Sequence, residues 1–146
     1  MKYITFTIPC YNSENYMRRC VDSLLVGGED VEILIIDDGS SDRTGAIADE
    51  YEMLYPNIVK AVHKPNGGHG SGVNKGLELA HGLYYKVVDS DDWLETDLLE
   101  EMYRRAKALD ADRLACGFRY YYESAPDRED RFLPEDMAPP EKGWLP

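Results

Sequence analysis

The sequence predicts an α/β fold, a mostly parallel sheet with helices on both faces. Three observations predict it. β-Branched, apolar segments alternate with stretches of helical periodicity as far as about position 110. The second such segment is apolar almost throughout, as in a strand covered on both faces. Polar or glycine-containing segments follow the strands, in the place where open α/β sheets bind their ligands.

Tyr3 to Ile8 reads as the first strand, closed by Pro9, which cannot donate a ladder hydrogen bond. Met17, Cys20, Val21, Leu24 and Leu25 recur at helical spacing, with Asn12 or Ser13 as N-cap and Gly27-Gly28 as the stop. Val31 to Ile36 is the apolar strand, ending at Asp37-Asp38-Gly39. Ser40 or Ser41 caps the next helix, with Ile47, Tyr51 and Leu54 on its core face and Pro56 past its end. Ile58 to Val62 is the third strand, and Lys64 to Gly72 is glycine-rich and needs unusual backbone angles. Val73, Leu77 and Ala80 mark the helix after it. Leu83 to Val88 is a fourth strand with Asp89-Ser90-Asp91-Asp92 at its end. A helix follows, capped by Thr96 and carrying Leu98, Leu99, Met102, Ala106 and Leu109. Arg113 to Tyr122 reads as another strand. From Glu123 onward five prolines and mixed charge replace periodicity. The expected division is therefore a domain over 1–122 and an irregular, proline-rich acidic segment over 123–146.

A chain of 146 residues, 43% hydrophobic and 30% charged, has an ordinary globular composition. At this length a fold buries roughly 70% of the surface of the unfolded chain. The formal charge of −12 repels a phosphate backbone and an anionic membrane, which argues against nucleic acid as a partner. It also repels a nucleotide, so a phosphorylated substrate would need a cation or a local positive patch. Cys10, Cys20 and Cys116 are odd in number and widely spaced. They read as reduced thiols of a cytoplasmic protein. No apolar run reaches the roughly 18 residues that span a bilayer, and the first residues lack the basic-then-apolar pattern of a signal peptide, so neither a membrane span nor secretion by signal is expected.

Five carboxylates, those of Asp37, Asp38, Asp89, Asp91 and Asp92, gather at one rim of such a sheet. Their mutual repulsion calls for compensation, and a divalent metal supplies it. Asp89 and Asp91 are two residues apart, a spacing that in extended backbone directs both side chains to one side. They can share an Mg2+ or Mn2+ ion whose shell substrate phosphates and water complete. Equally, acidic residues there favour the N-terminus of the following helix. Asp37 to Ser40 can likewise be a turn feeding a capped helix. The glycine-rich stretch matches neither common phosphate-binding pattern. His69 reads as a loop residue.

Taken in order, Ile8-Pro9-Cys10-Tyr11-Asn12, Ile35-Ile36-Asp37-Asp38-Gly39-Ser40-Ser41-Asp42, Asn66-Gly67-Gly68 with Asn74-Lys75-Gly76, and Val88-Asp89-Ser90-Asp91-Asp92-Trp93 resemble the family 2 glycosyltransferases. The resemblance spans residues 3 to about 110. It implies a Rossmann-like GT-A fold and a nucleotide-diphospho-sugar donor, with UDP favoured. It implies that Pro9, Tyr11 and Asp38 line the nucleoside pocket, with Asp38 accepting from the base, and that Asn12, Gly39, Gly68, Asn74 and Ser90 belong to the nucleotide-sugar site. Asp89-Ser90-Asp91 corresponds to the DxD motif, with Asp91 on the metal, Mn2+ or Mg2+, and Asp89 on the ribose or helping to hold the ion. Where many members carry Ala-Arg-Asn, this chain has Gly72-Val73-Asn74, losing a guanidinium, for which Lys75 or His69 can substitute electrostatically but without its bidentate fork.

Inverting members take the acceptor proton with a carboxylate. Glu135-Asp136 resembles their acid pair but lies at about half the implied separation from Asp91, so Asp136 is a weak candidate and the base is expected beyond Pro146. The chain thus reads as the donor-binding part of a metal-dependent, inverting transferase. The implied acceptor is a glycan or lipid-linked hydroxyl in polysaccharide or glycoconjugate synthesis, and the implied place is the cytoplasmic face of the membrane. Two other readings compete: a nucleotide-sugar binding module without turnover, and a sugar nucleotidyltransferase. The latter needs a glycine-rich basic loop after the first strand, and Pro9 to Asn15 has no Gly, Lys or Arg.

Overall fold

The computed structural model describes residues 1–109, 118–120 and 130–132. The chain divides into two units, Met1–Arg104 and Arg105–Pro146. The first is built on four strands, β1 (Ile4–Cys10), β2 (Val31–Asp37), β3 (Val59–His63) and β4 (Tyr84–Val87), all parallel in the order β3-β2-β1-β4. Between them run helices α1 (Met17–Leu25), α2 (Thr44–Leu54) and α3 (His69–Leu79), and α4 (Thr96–Leu109) follows β4. The expected mostly parallel sheet is therefore present.

The two faces of the sheet are chemically distinct, because alternate residues of a strand point to opposite sides. Ile4, Phe6 and Ile8 of β1 stand opposite Val31, Ile33 and Ile35 of β2. All six join the main core with Met17, Cys20, Val21 and Leu24 of α1, Ile47, Ala48 and Tyr51 of α2, and Leu99 of α4. Each fully buried aliphatic or aromatic side chain there contributes about 1.5–3 kcal/mol. The other face presents Thr5, Thr7 and Pro9 to α3 and the turn after it. A Cβ on Gly72 would sit 3.1 Å from Pro9, and one on Gly76 would sit 2.2 Å from Thr7 Cγ2. Glycine at these two positions lets α3 approach the sheet more closely than any side chain would allow.

That close approach corrects the helix periodicity. The buried residues of α3 are Gly72 and Gly76, while Leu77 is exposed and Ala80 lies just past the helix. The helix also begins earlier, at His69, inside the glycine-rich stretch. Leu54 of α2 is likewise exposed, the inward face being Thr44, Ile47, Ala48 and Tyr51.

Pro9 does not close the first strand. Thr7 accepts a hydrogen bond from Val88 of the β4 segment, so the next donor facing that side would be residue 9, beyond the last rung of β4. A proline costs nothing there, and β1 continues beside β2 as far as Cys10↔Asp37.

The expected side-chain caps are also displaced. α1 begins after Tyr16 and α2 after Arg43, neither with a side-chain cap. α4 starts at Thr96 itself, and the Glu95 carbonyl accepts from Leu99. Asn12 and Ser13 are used elsewhere, as are Ser40 and Ser41.

The second unit contributes β5 (Phe118–Tyr120) and β6 (Asp130–Phe132), an antiparallel pair. β5 falls inside the strand expected over 113–122, whose other residues lie outside the described ones. β6 falls where the sequence reads as irregular.

Two buried side-chain polar atoms in the first unit have no hydrogen-bond partner among the described residues, Tyr103 Oη of α4 and Thr7 Oγ1, the latter fully buried on the α3 face. Thr7→Val should raise stability by about 1 kcal/mol, since it removes an unsatisfied hydroxyl while keeping the shape. Chemical denaturation would check this, and a loss of stability would mean that the hydroxyl has a partner.

Candidate functional site

The carboxyl ends of β1, β2 and β4 and the N-terminus of α3 surround a cleft of about 340 Å3. Its walls are Pro9, Cys10, Tyr11, Ser13, Tyr16, Asp38, Asn66, Gly68, His69, Gly72, Asp89, Ser90 and Asp91. Tyr11 and Tyr16 are exposed rings, suited to lie against a flat ligand. Of the residues implied by resemblance, Pro9, Tyr11, Asp38, Gly68, Asp89, Ser90 and Asp91 line this cleft, whereas Asn12, Gly39 and Asn74 do not.

Asn12 and Gly39 shape the rim instead. Asn12 has φ +50° and its Oδ1 accepts the backbone N–H of Ser41 at 2.9 Å, while its own N–H donates to Ser40 Oγ at 3.0 Å. Gly39 has φ +71°, and a Cβ there would lie 2.8 Å from the backbone nitrogen of Asn66. Only glycine combines that backbone angle with that approach. Asn74 is exposed on α3.

Asp38 is buried, and its carboxylate organises the glycine loop. Oδ1 accepts from Lys64 Nζ and from the Gly67 N–H at 3.0 Å, and Oδ2 accepts from the Gly68 N–H at 2.7 Å. Burial opposes its charge, but Lys64 and the two N–H groups outweigh that, holding the carboxyl below the usual carboxylate range. A base-reading role would have to use what acceptor capacity these contacts leave.

Ser90 is also buried, and its hydroxyl meets Ser13 Oγ at 2.9 Å. Ser13 in turn donates its N–H to Thr44 Oγ1 at 2.7 Å. The segment from Asp89 to Leu94 is tied to α1 by three contacts. Cys20 Sγ donates to the Asp89 carbonyl at 3.5 Å, Leu94 N–H donates to Ser23 Oγ at 3.1 Å, and the Arg19 guanidinium lies 3.4 Å from the centre of the Trp93 ring. Cys10, the thiol on the cleft wall, is pushed up to about 12 by burial and then by Asp37, so it is inert as a nucleophile.

Asp89 and Asp91 line the cleft, Asp91 exposed and Asp89 partnered by His69, whose Nε2 lies 2.7 Å from Asp89 Oδ1. Partial desolvation, then the charges of Asp91 and Asp89, raise the carboxyl of Asp92. Among the described residues no group of three or more His, Cys, Asp and Glu side chains is gathered to hold an ion. The donor set of two oxygen-bearing carboxylates on an open cleft fits Mg2+ or Mn2+ completed by ligand phosphates, and does not fit an all-protein cage.

The sequence alone does not single out Lys64, Ser13 or Tyr16. Lys64 could have been found from its place directly after β3, beside the strand that leads into Asp38. Asp136 lies outside the described residues.

Behind the rim, His63 at the end of β3 places Nδ1 3.0 Å from Asp37 Oδ2 and Nε2 2.8 Å from Asp49 Oδ1 of α2. Hydrogen bonding to Asp37, then to Asp49, raises its pKa above the ordinary 6.5. Folding therefore favours the protonated ring, and that stabilisation is complete below about 6.5 and lost as pH rises through the raised value. Thermal stability should fall as pH rises above about 6.5 through the raised value, and His63→Gln should flatten the slope. An unchanged slope in the variant would assign it to other groups.

The sheet and its glycine-faced helix define a GT-A fold, with the acidic cleft at the strand ends as its candidate ligand site. The chain matches Glycosyl transferase family 2 over residues 5–141. It belongs to that family. It is 36% identical over 123 residues to glycosyltransferase GlyA of Streptococcus pneumoniae serotype 4, covering 84% of this chain and 17% of GlyA. With GlyG of the same organism the identity is 35%, covering 83% of this chain and 40% of GlyG. Among solved structures it is similar to residues 1–349 of S. aureus TarS in complex with UDP-GlcNAc. The TM-score is 0.63 at 29% identity, over 74% of this chain and 32% of that one. The chain thus spans less than half the length of these relatives. No helix among the described residues is long and apolar enough to cross a membrane.

Proposed function

We propose that this chain is the donor-binding part of a metal-dependent, inverting glycosyltransferase. It would bind a UDP-sugar for transfer to a hydroxyl of a glycan or lipid-linked acceptor in polysaccharide or glycoconjugate synthesis. The observation that carries the reading is the meeting of Asp38, Asn66, Asp89 and Asp91 in one cleft flanked by Tyr11 and Tyr16. The complexes of TarS with UDP and with UDP-GlcNAc support the choice of nucleotide.

Each part of the cleft has a task. The tyrosine rings and Pro9 offer apolar surface to a nucleobase, and the Asp38-braced loop presents Asn66, whose amide can both donate and accept. Asp89 and Asp91 would hold Mn2+ or Mg2+. Such an ion, when bound, neutralises charge on the departing nucleoside diphosphate. The chain's acidity makes that neutralisation necessary, since the two carboxylates alone repel the diphosphate. The acceptor base is assigned to no described residue.

Calorimetry of UDP with Mn2+ and with a chelator tests the reading. UDP should bind only with the ion present, and more tightly than GDP. Equal affinity in both conditions would remove the metal from the donor site and leave Asp89 and Asp91 as groups favouring the start of α4.

A further inference from the structure

We propose that His63 is a positioning residue of the nucleotide site, which in its protonated form clamps the loop at 37–40 against β3 and α2 and so makes donor affinity fall as pH rises. The inference rests on the donor-binding reading above and goes beyond it to what holds the loop in place.

The geometry carries it. Asp37 and His63 are partners at the last rung between β2 and β3, and the next residue on each side repeats the pairing, with Lys64 Nζ on Asp38. Asp38 lines the cleft, and Asp37 lies behind it. Asp37 is buried with both oxygens engaged: Oδ1 accepts the Ser40 N–H at 3.0 Å, and Oδ2 faces His63 Nδ1 at 3.0 Å. Ser40 Oγ in turn accepts the N–H of Asn12, the residue after Tyr11 of the cleft wall. One carboxylate thus joins the ring to both loops at this rim. The contact has no room to part, because a Cβ on Gly45, in the first turn of α2, would lie 2.8 Å from Asp37 Oδ2 and 3.4 Å from His63 Cε1.

The chemistry gives the direction. An imidazolium donates from both nitrogens, and here both face carboxylates, Asp37 at 3.0 Å and Asp49 Oδ1 of α2 at 2.8 Å. The neutral ring has one donor. One carboxylate must then face a nitrogen lone pair, so that bond is lost, and buried Asp37 loses its counter-cation whichever bond goes. The uncompensated charge loosens the loop and adds to the rim's repulsion of a diphosphate. The lysines along this seam are already paired, Lys64 with Asp38 and the Pro65 carbonyl and Lys60 with Glu52, so neither replaces the imidazolium. The ring is half exposed and exchanges its proton with solvent.

The test is UDP-GlcNAc binding by calorimetry in saturating Mn2+ from about pH 5.5 to about pH 8.5, a range that brackets the ordinary histidine value. The sugar nucleotide is used because its diphosphate, esterified at both ends, keeps one charge throughout. Affinity should fall by about 5- to 10-fold as pH rises, within the usual range of coupling between two sites. The fall should track the titration of the His63 ring followed by NMR. Asp49→Asn, on an exposed side chain outside the cleft wall, should move both midpoints to lower pH together. His63→Gln should bind at the weaker, high-pH level with little pH dependence. A merely structural histidine would change the melting temperature and leave the affinity midpoint of Asp49→Asn where it was. Flat affinity in the unsubstituted chain, or an unmoved profile in either variant, overturns the proposal. Failure of UDP-GlcNAc to bind at any pH overturns the donor reading and this inference with it, an outcome distinct from binding without pH dependence.

Discussion

Asp91→Ala should abolish Mn2+-dependent UDP binding while the melting temperature holds or rises. The side chain is exposed and contributes nothing to the core. Its charge, with that of Asp89 and with partial desolvation, raises the neighbouring Asp92 carboxyl. Removing it therefore relieves repulsion and, on the proposed function, takes away an ion ligand. Changing groups that only orient a metal ligand costs 10- to 100-fold in affinity, so loss of a ligand should cost at least about 100-fold. Calorimetry and thermal melting on the same preparation give both numbers. A fall in melting temperature with UDP affinity retained would make Asp91 a structural residue of the turn.

Gly76→Ala should destabilise the protein although alanine is the better helix former. Alanine in a helix interior gains about 1 kcal/mol over glycine. Against that, the new methyl would meet Thr7 Cγ2 at 2.2 Å, Oγ1 at 2.3 Å and Cβ at 2.8 Å. Rotating the Thr7 side chain does not help, because its Cβ is fixed by a fully buried strand. Relief requires α3 to move off the sheet, and overpacking of this kind costs about 1–3 kcal/mol. UDP affinity should fall as well, since α3 carries His69 and Gly72 into the cleft. Denaturant unfolding measures the first effect and calorimetry the second. A variant as stable as the parent would show that the helix has room to retreat. Thr7→Ala in the same chain should restore part of the loss.

Much of this architecture was legible in the residues. The Val31–Ile36 run, apolar apart from Glu32, points to a strand covered on both faces, and β2 is that strand. The order of the four motifs places three strand ends at one rim, as the parallel order β3-β2-β1-β4 does. What was not legible follows a physical pattern. Periodicity assumes that apolar side chains mark the buried face, and α3 buries glycine, so Leu77 was misdirected. A cap is recognised by residue type, and Asn12, Ser13, Ser40 and Ser41 have the right type but spend their hydrogen bonds on one another's loops or, for Ser13, on Thr44 and Ser90. The site was legible as a set of motifs. Its internal wiring was not, because contacts such as Lys64 to Asp38 join residues 26 positions apart and no spacing rule reports them.

Ser13 connects these loops in a further sense. Its hydroxyl meets Ser90 in the turn that carries Asp89 and Asp91, and its backbone N–H donates to Thr44 at the start of the helix that follows Asp38. A ligand that orders one of these segments lowers the entropy still to be lost at the other. On the proposed function, ion and nucleotide would then be thermodynamically linked: an ion that tightens nucleotide binding by some factor must itself be tightened by the nucleotide by the same factor. The cleft would load its charged components together, with few half-filled states between the empty and the complete one.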